Sequence, residues 1–153
     1  MATWGEFAAA EPELAAAGKK LFTQYGLGLA FIATVAADGS PRLHPITISM
    51  TDDEIYAFIV PGPKQHDLQR DGRYVLHALQ PEDIEDEFMV AGRAEFADTP
   101  DERAKALTGY HQPHAAADHL LFRFDIEKAM LATYDYRGQW PPAYRRWRAP
   151  ATG

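Results

Sequence analysis

The chain has 153 residues, no cysteine, 46% hydrophobic residues and a formal net charge of −7. That length suits one globular domain, and the missing thiols exclude disulfides, thiolate metal sites and cysteine nucleophiles. Residues 136–153 carry Arg137, Arg145, Arg146 and Arg148 and no acid. Removing those four charges leaves −11 on the remainder, an acidic body that argues against general nucleic-acid binding.

The first twenty residues lack a basic start followed by an apolar run. No apolar stretch nears the roughly 20 residues that cross a bilayer. The expectation is a cytoplasmic chain with no membrane segment. Residues 4–24 predict a helix, with Pro12 at a first-turn position and Gly26 and Gly28 ending it. The period then changes to that of strands. "LAFIATVA" (29–36), "PRLHPITISM" (41–50) and "IYAFIV" (55–60) are separated only by the turns "AADGS" and "TDDE", which predicts an antiparallel meander. The first and third strands are apolar on both faces, so both faces are expected to be covered.

"PGPKQHDLQRDG" (61–72) breaks the sheet pattern, and "KQHDLQR" predicts about two helical turns. A fourth strand follows at 73–79, then an acidic loop at 80–87. A fifth strand spans 88–96, with Gly92 as a bulge. Asp98-Thr99-Pro100-Asp101-Glu102 combines a cap, a proline and acids, which predicts a helix start. Residues 120–136 predict a sixth strand, and the Arg- and aromatic-rich tail beyond it is expected to be irregular. Six largely antiparallel strands with short inserted helices predict a small closed barrel, because a flat sheet of this size leaves edges to protect.

Two stretches carry chemistry. Arg42 and His44 lie two apart on the second strand, followed at the same spacing by Ile46 and Ile48, so all four share a face. Either the polar end of that face grips an anionic or heteroaromatic ligand, or both side chains reach solvent beside the turn. Lys64 opens the helix after the third strand. Free N–H groups at a helix start favour anions, and a lysine there adds a point charge. The alternative is a solvated helix start. Arg70 and Arg73, further along, can add positive charge to such a site. The histidines His111, His114 and His119 match no compact zinc spacing and read as a polar loop. The tail aromatics Tyr134, Tyr136, Trp140, Tyr144 and Trp147 either stack on a planar ligand or pack on the barrel or a partner chain. No nucleophile elbow, Walker loop or dinucleotide fingerprint is present.

These residues together resemble the pyridoxamine 5′-phosphate oxidase-related, FMN-binding split-barrel superfamily. "FIATVAADGSPRLHPITI", "IYAFIVPGPKQHDLQRDGRYVLHAL", "DEFMVAGRAEF" and "HLLFRFDIEKAML" carry the resemblance, over roughly residues 20–135. The most specific pieces are "DGSPRLHPI" and the K-x-x-D-L-x-R-D-x-R stretch from Lys64 to Arg73. The resemblance implies one mainly β domain over residues 1–153, a six-stranded antiparallel split barrel with peripheral helices. It has an N-terminal helical segment (1–28) and an Arg/aromatic tail (136–153). It implies a homodimer with flavin sites at the interface and FMN as cofactor.

In the same way the resemblance implies the site. Arg42, His44, Pro45, Ile46 and Thr47 line the flavin, Phe58 and Ile59 run beside it, Lys64 meets its phosphate and Gln65 lies next to it. Trp140 and Arg145 are supplied from the other subunit. The activity implied is an FMN-dependent oxidoreductase acting on a small organic substrate, with no catalytic acid or base assigned and no metal. The chain has no counterpart of the C-terminal arginine–histidine substrate motif of true pyridoxamine phosphate oxidases, so vitamin B6 oxidation is not expected. Two alternatives stand beside FMN chemistry. One is a deazaflavin-dependent reductase, whose polyglutamyl coenzyme suits the Arg-rich tail. The other is a non-enzymatic flavin- or haem-binding module, with His66 or His77 as the axial residue for haem.

Overall fold

The computed structural model describes residues 1–151. In chain order it has helices α1 (Trp4–Ala10) and α2 (Pro12–Phe22), then strands β1 (Gly28–Val35), β2 (Pro41–Met50) and β3 (Ile55–Ile59). Helix α3 (Pro63–Arg70), strands β4 (Arg73–Ala78) and β5 (Glu87–Phe96), and helix α4 (Pro100–Thr108) follow. Strands β6 (Leu120–Thr133) and β7 (Ala143–Arg148) complete it. The strand order is β3-β2-β1-β4-β5-β6-β7, every pairing is antiparallel, and β3 also pairs with β6. Six strands therefore close on themselves, and β7 extends the sheet outside the ring. This is the closed barrel that the strand pattern predicts, in the split-barrel form that the resemblance implies.

The β1–β2 hairpin sets up the site. Asp38 accepts bonds from the Ser40 amide and hydroxyl, and Gly39 takes a positive φ of 87° that other residues rarely adopt. The resulting register sets Arg42 opposite Thr34, His44 opposite Ile32 and Ile46 opposite Ala30. Ile48 faces Gly28, where a Cβ would lie 2.4 Å from the Ile48 carbonyl oxygen. Ala30, Ile32, Thr34, Ile46 and Ile48 are all buried, so this face points into the barrel. Leu43, one residue out of phase, is 67% exposed.

Packing closes the ring. A bulge between Ala91 and Gly92 shifts the β5 register, and the long β6 pairs with β5 on one side and β3 on the other. Phe7 from α1 and Phe22 from α2 meet Phe88 of β5 at ring-centroid distances of 6.4 and 5.3 Å. All three rings are fully buried, each contributing about 1.5–3 kcal/mol through removal of apolar surface from water.

Five expectations need correction. The single helix over 4–24 is two helices. Pro12 cannot continue a helix from before it, so it restarts one at its first position, while α1 begins with a capping box between Thr3 and Glu6. Gly28 starts β1 rather than ending a helix. The sixth strand stops at Thr133, short of 136, and the tail is not irregular throughout: Ala143–Arg148 pairs with β6 because Trp147 packs inward against Phe7 at 4.9 Å. Residues 152–153 of that tail lie outside the described residues. Finally, β3 is buried at every position, but β1 is covered on one face only: Phe31 on its outer face is 38% exposed. No helix among the described residues is long and apolar enough to cross a membrane.

Candidate functional site

Helix α3 packs at the Arg42 end of the β1–β2 hairpin. Leu68 enters the barrel core, and this orientation carries its neighbour Asp67 inward as well, leaving that residue 2% exposed. Three donors meet the Asp67 carboxylate. Thr34 donates through its hydroxyl at 2.8 Å, Arg42 through Nε at 2.7 Å and Arg70 through Nη2 at 3.0 Å. Arg42 therefore does not simply reach solvent beside the turn: one edge of its guanidinium is tied to a buried acid. Among the described residues neither Nη group of Arg42 has a hydrogen-bond partner, and the side chain is 34% exposed.

Lys64 sits half-buried in the first turn of α3. Gly62 caps that helix without a side-chain bond, and Pro63 has no N–H to offer. The first-turn amides of Lys64 and Gln65 thus have no intrahelical partner, as at any helix start. Lys64 lies close enough to His44 for its charge to act there. Burial pushes the His44 imidazole below its usual pKa, the Lys64 and Arg42 charges push it further down, and Asp67 opposes them weakly. His44 is accordingly held neutral near pH 7, and its Nε2 is buried with no hydrogen-bond partner. An orphaned buried polar atom beside two cations and a free helix start is an arrangement able to receive an anion.

Asp67 is subject to opposing effects. Burial raises its pKa, and the bonds from Arg42, Thr34 and Arg70 outweigh that, so the carboxyl stays below its ordinary range and ionised.

The other expected residues fall in several places. Pro45 and Thr47 sit on the opposite face of β2 from Arg42 and His44, by strand alternation. Ile46 and Ile59 belong to the main core. Phe58 packs with Tyr110 at 5.0 Å in a separate cluster under α4, with the Arg103 guanidinium 5.0 Å above its ring. Gln65 is buried and its Nε2 donates to the carbonyls of Ile59 and Asp118, tying the end of β3 to the start of α3. Trp140 is 78% exposed and lines a pocket with His77, Glu85, Glu87 and Tyr134. Arg145 pairs with Glu11 at 3.2 Å and Glu13 at 3.8 Å. Among the described residues, no hydrogen bond or ion pair joins Trp140 or Arg145 to the Arg42–Lys64 group.

The sequence assigns no site role to two residues of this network, Thr34 and Asp67, although Asp67 is the first aspartate of the K-x-x-D-L-x-R-D-x-R stretch. Asp67 left one signal: it stands one helical turn before Arg70 and next to the only large apolar residue of a polar helix. Thr34 left none, since a threonine in a strand is an ordinary β-former.

The family described as pyridoxamine 5′-phosphate oxidase matches residues 22–139. No curated protein matches the chain. Among solved structures, a haem-binding protein from Mycobacterium smegmatis superposes with a TM-score of 0.67 at 14% identity, covering 87% of this chain; the chain spans 57% of that protein. HupZ of Group A Streptococcus gives 0.58 at 20% identity, covering 74% of this chain and 90% of that one. A protein from Clostridium acetobutylicum, related to general stress protein 26 and described as of the pyridoxinephosphate oxidase family, gives 0.53 at 14% identity, covering 94% and 95%. At such identities these structures share the fold.

Proposed function

We propose that this chain, which belongs to the pyridoxamine 5′-phosphate oxidase family, is an FMN-binding oxidoreductase acting on a small organic substrate. The observation that carries this reading is the grouping of Arg42, His44 and Lys64 near the start of α3, with an orphaned imidazole nitrogen within the field of two cations. Those residues fit a phosphate. Lys64 and the free Nη groups of Arg42 hold it by charge-assisted bonds, the first-turn amides of α3 add donors, and His44 contributes Nε2. Pro45 and Thr47, on the outer face of β2, line the isoalloxazine, Ile46, Phe58 and Ile59 back that wall from within the packed interior, and Gln65 fixes the turn that brings Lys64 to the site. FMN supplies the redox chemistry when bound, and the protein positions it and shapes access to it.

The outer face of the β1–β2 hairpin supports a homodimer with the cofactor at the seam. Phe31 and Leu43 expose 38% and 67% of their surface there, beside Pro45, an apolar face suited to a second copy of this chain. Trp140 and Arg145 reach the site from that second copy.

The test is the ligand that copurifies. Flavin absorption bands, with FMN identified by mass, support the reading, as does a dimer by light scattering. A colourless protein that binds deazaflavin and not FMN would overturn it in favour of the deazaflavin reductase, for which the outward Arg146 and Arg148 of β7 speak. A Soret band would overturn it in favour of a haem module. Lys64→Ala sharpens the outcome. Losing one charge-assisted bond weakens FMN binding by about 1.5–3 kcal/mol, roughly one to two decades. Riboflavin, which lacks the phosphate, changes little. Equal losses for both ligands show that Lys64 does not meet the phosphate.

A further inference from the structure

We propose that Asp67 is a positioning residue: its buried carboxylate holds Arg42 by Nε and thereby presents the two free Nη groups to a phosphate monoester beside Lys64. This rests on reading the Arg42–Lys64 group as the cofactor's phosphate site, and it gives that site the part that the sequence does not display. Three features carry it.

First, the direction of the bonds matters. Asp67 takes Arg42 at Nε, at 2.7 Å, and no described residue bonds either Nη. The Arg42 side chain is 34% exposed while the Asp67 side chain is 3% exposed, so the acid anchors the inner edge of the guanidinium and the outer edge is available. A fork held by one edge has lost its rotamer freedom before any ligand arrives, which is where preorganised affinity comes from.

Second, the anchor is itself anchored. Thr34, 2% exposed and directly opposite Arg42 in the hairpin, donates to the same Oδ2 at 2.8 Å. Arg70 holds Oδ1 and also donates to the Val35 carbonyl at 2.8 Å, tying α3 to the end of β1. The carboxylate thus has one orientation.

Third, a buried carboxylate is a costly way merely to join a strand to a helix, since apolar pairs of similar volume do that as well or better. What an apolar pair cannot do is aim an arginine.

The experiment compares FMN, riboflavin and inorganic phosphate. In Asp67→Asn, FMN affinity falls about tenfold or more and riboflavin affinity stays within about twofold. Arg42→Gln gives a loss of similar size, and the double variant loses no more than the larger single one, because both changes remove the same interaction. The His44 imidazole, followed by NMR, gives a readout that needs no flavin. Phosphate raises the His44 pKa in the unsubstituted protein, and Asp67→Asn needs about ten times more phosphate for the same response. Should FMN fail to bind while His44 still responds to phosphate in an Asp67-dependent way, the FMN reading falls and the positioning role stands. The role is overturned by losses that are equal for FMN and riboflavin, by losses that add in the double variant, or by a His44 that ignores phosphate in the unsubstituted protein. Should Asp67→Asn not fold, Arg42→Lys decides. An ammonium cannot keep Asp67 and also present two donors outward, so the same phosphate-selective loss is expected, and full retention of FMN affinity and of the phosphate response overturns the proposal.

Discussion

Asp67 and Glu54 are both carboxylates withdrawn from water, with side chains 3% and 18% exposed, and their acidities move in opposite directions. At Asp67 burial raises the pKa, but three donors outweigh it and the group stays ionised. At Glu54 burial pushes the pKa up to about 7. Arg123, 3.9 Å away, opposes this, while Asp125, Glu102 and Asp53 add to it. Oε2 of Glu54 is buried with no hydrogen-bond partner. The nearby Tyr56 hydroxyl is not available to it, since it donates to Glu102 at 2.6 Å. Burial alone therefore does not set the charge of an acid; the donors the fold supplies do. The two regions differ in surroundings as well. Asp67 lies on the inward side of α3 beside two arginines, whereas Glu54 lines an open cleft of about 780 Å³ with Asp52, Asp53 and Glu102.

The contrast breaks most sharply at Asp67→Ala. That change leaves Arg42, Arg70 and Thr34 without their shared acceptor; the two arginines are 34% and 42% exposed and regain water, so the loss is that of hydrogen bonds to a charged group, about 1.5–3 kcal/mol. Chemical denaturation near pH 7 checks this; a loss below about 1 kcal/mol would place Asp67 with ordinary surface acids. The sign with pH follows from the lowered pKa of Asp67: its contribution is present above the unfolded value near 3.8 and fades as pH falls through the folded value.

Glu54→Gln tests the other side. The folded pKa is raised, so this group contributes fully below the unfolded value of 4.5 and its contribution is lost as pH rises through about 7. The glutamine variant is therefore more stable than the parent by roughly 1–3 kcal/mol at pH 8, after discounting for partial exposure, and about equal to it at pH 4. Melting temperatures between pH 4 and 8 read this directly, and a difference that does not grow with pH speaks against a neutral Glu54. The smallest effect belongs to Arg145→Ala. Its ion pairs with Glu11 and Glu13 are exposed, with Arg145 49% and Glu13 90% open to solvent, so the change shifts stability by less than about 1 kcal/mol. A larger loss would mean that β7 depends on those pairs rather than on Trp147.

Much of the fold was legible because it is local. The second strand has its predicted bounds, 41–50, since the Asp38–Ser40 turn and the start of β3 punctuate it on both sides. Arg42 and His44 share the inward face with Ile46 and Ile48 because strand side chains alternate. Thr99 caps α4 as its position before Pro100 suggests. The Arg and aromatic residues of the tail hid a strand. "AYRRWR" has only Trp147 pointing to the core, too little alternation to be recognised without the β6 edge it joins. The Asp67 network was hidden for a different reason. Thr34 and Asp67 are 33 residues apart, and nothing in either segment names the other.

Sequence alone determined the elements and the faces they present, because turn residues, caps and periodicity act over a few residues. It also determined that basic groups stand at the end of one hairpin and at the start of the helix after β3. Only the tertiary structure decided that β3 pairs with β6 to close the ring, and that Asp67 meets three hydrogen-bond donors while Glu54 meets only Arg123, 3.9 Å away. Those outcomes depend on which distant segments the packed barrel brings into contact, and a carboxylate's charge is set by donors that the chain supplies from far along its length.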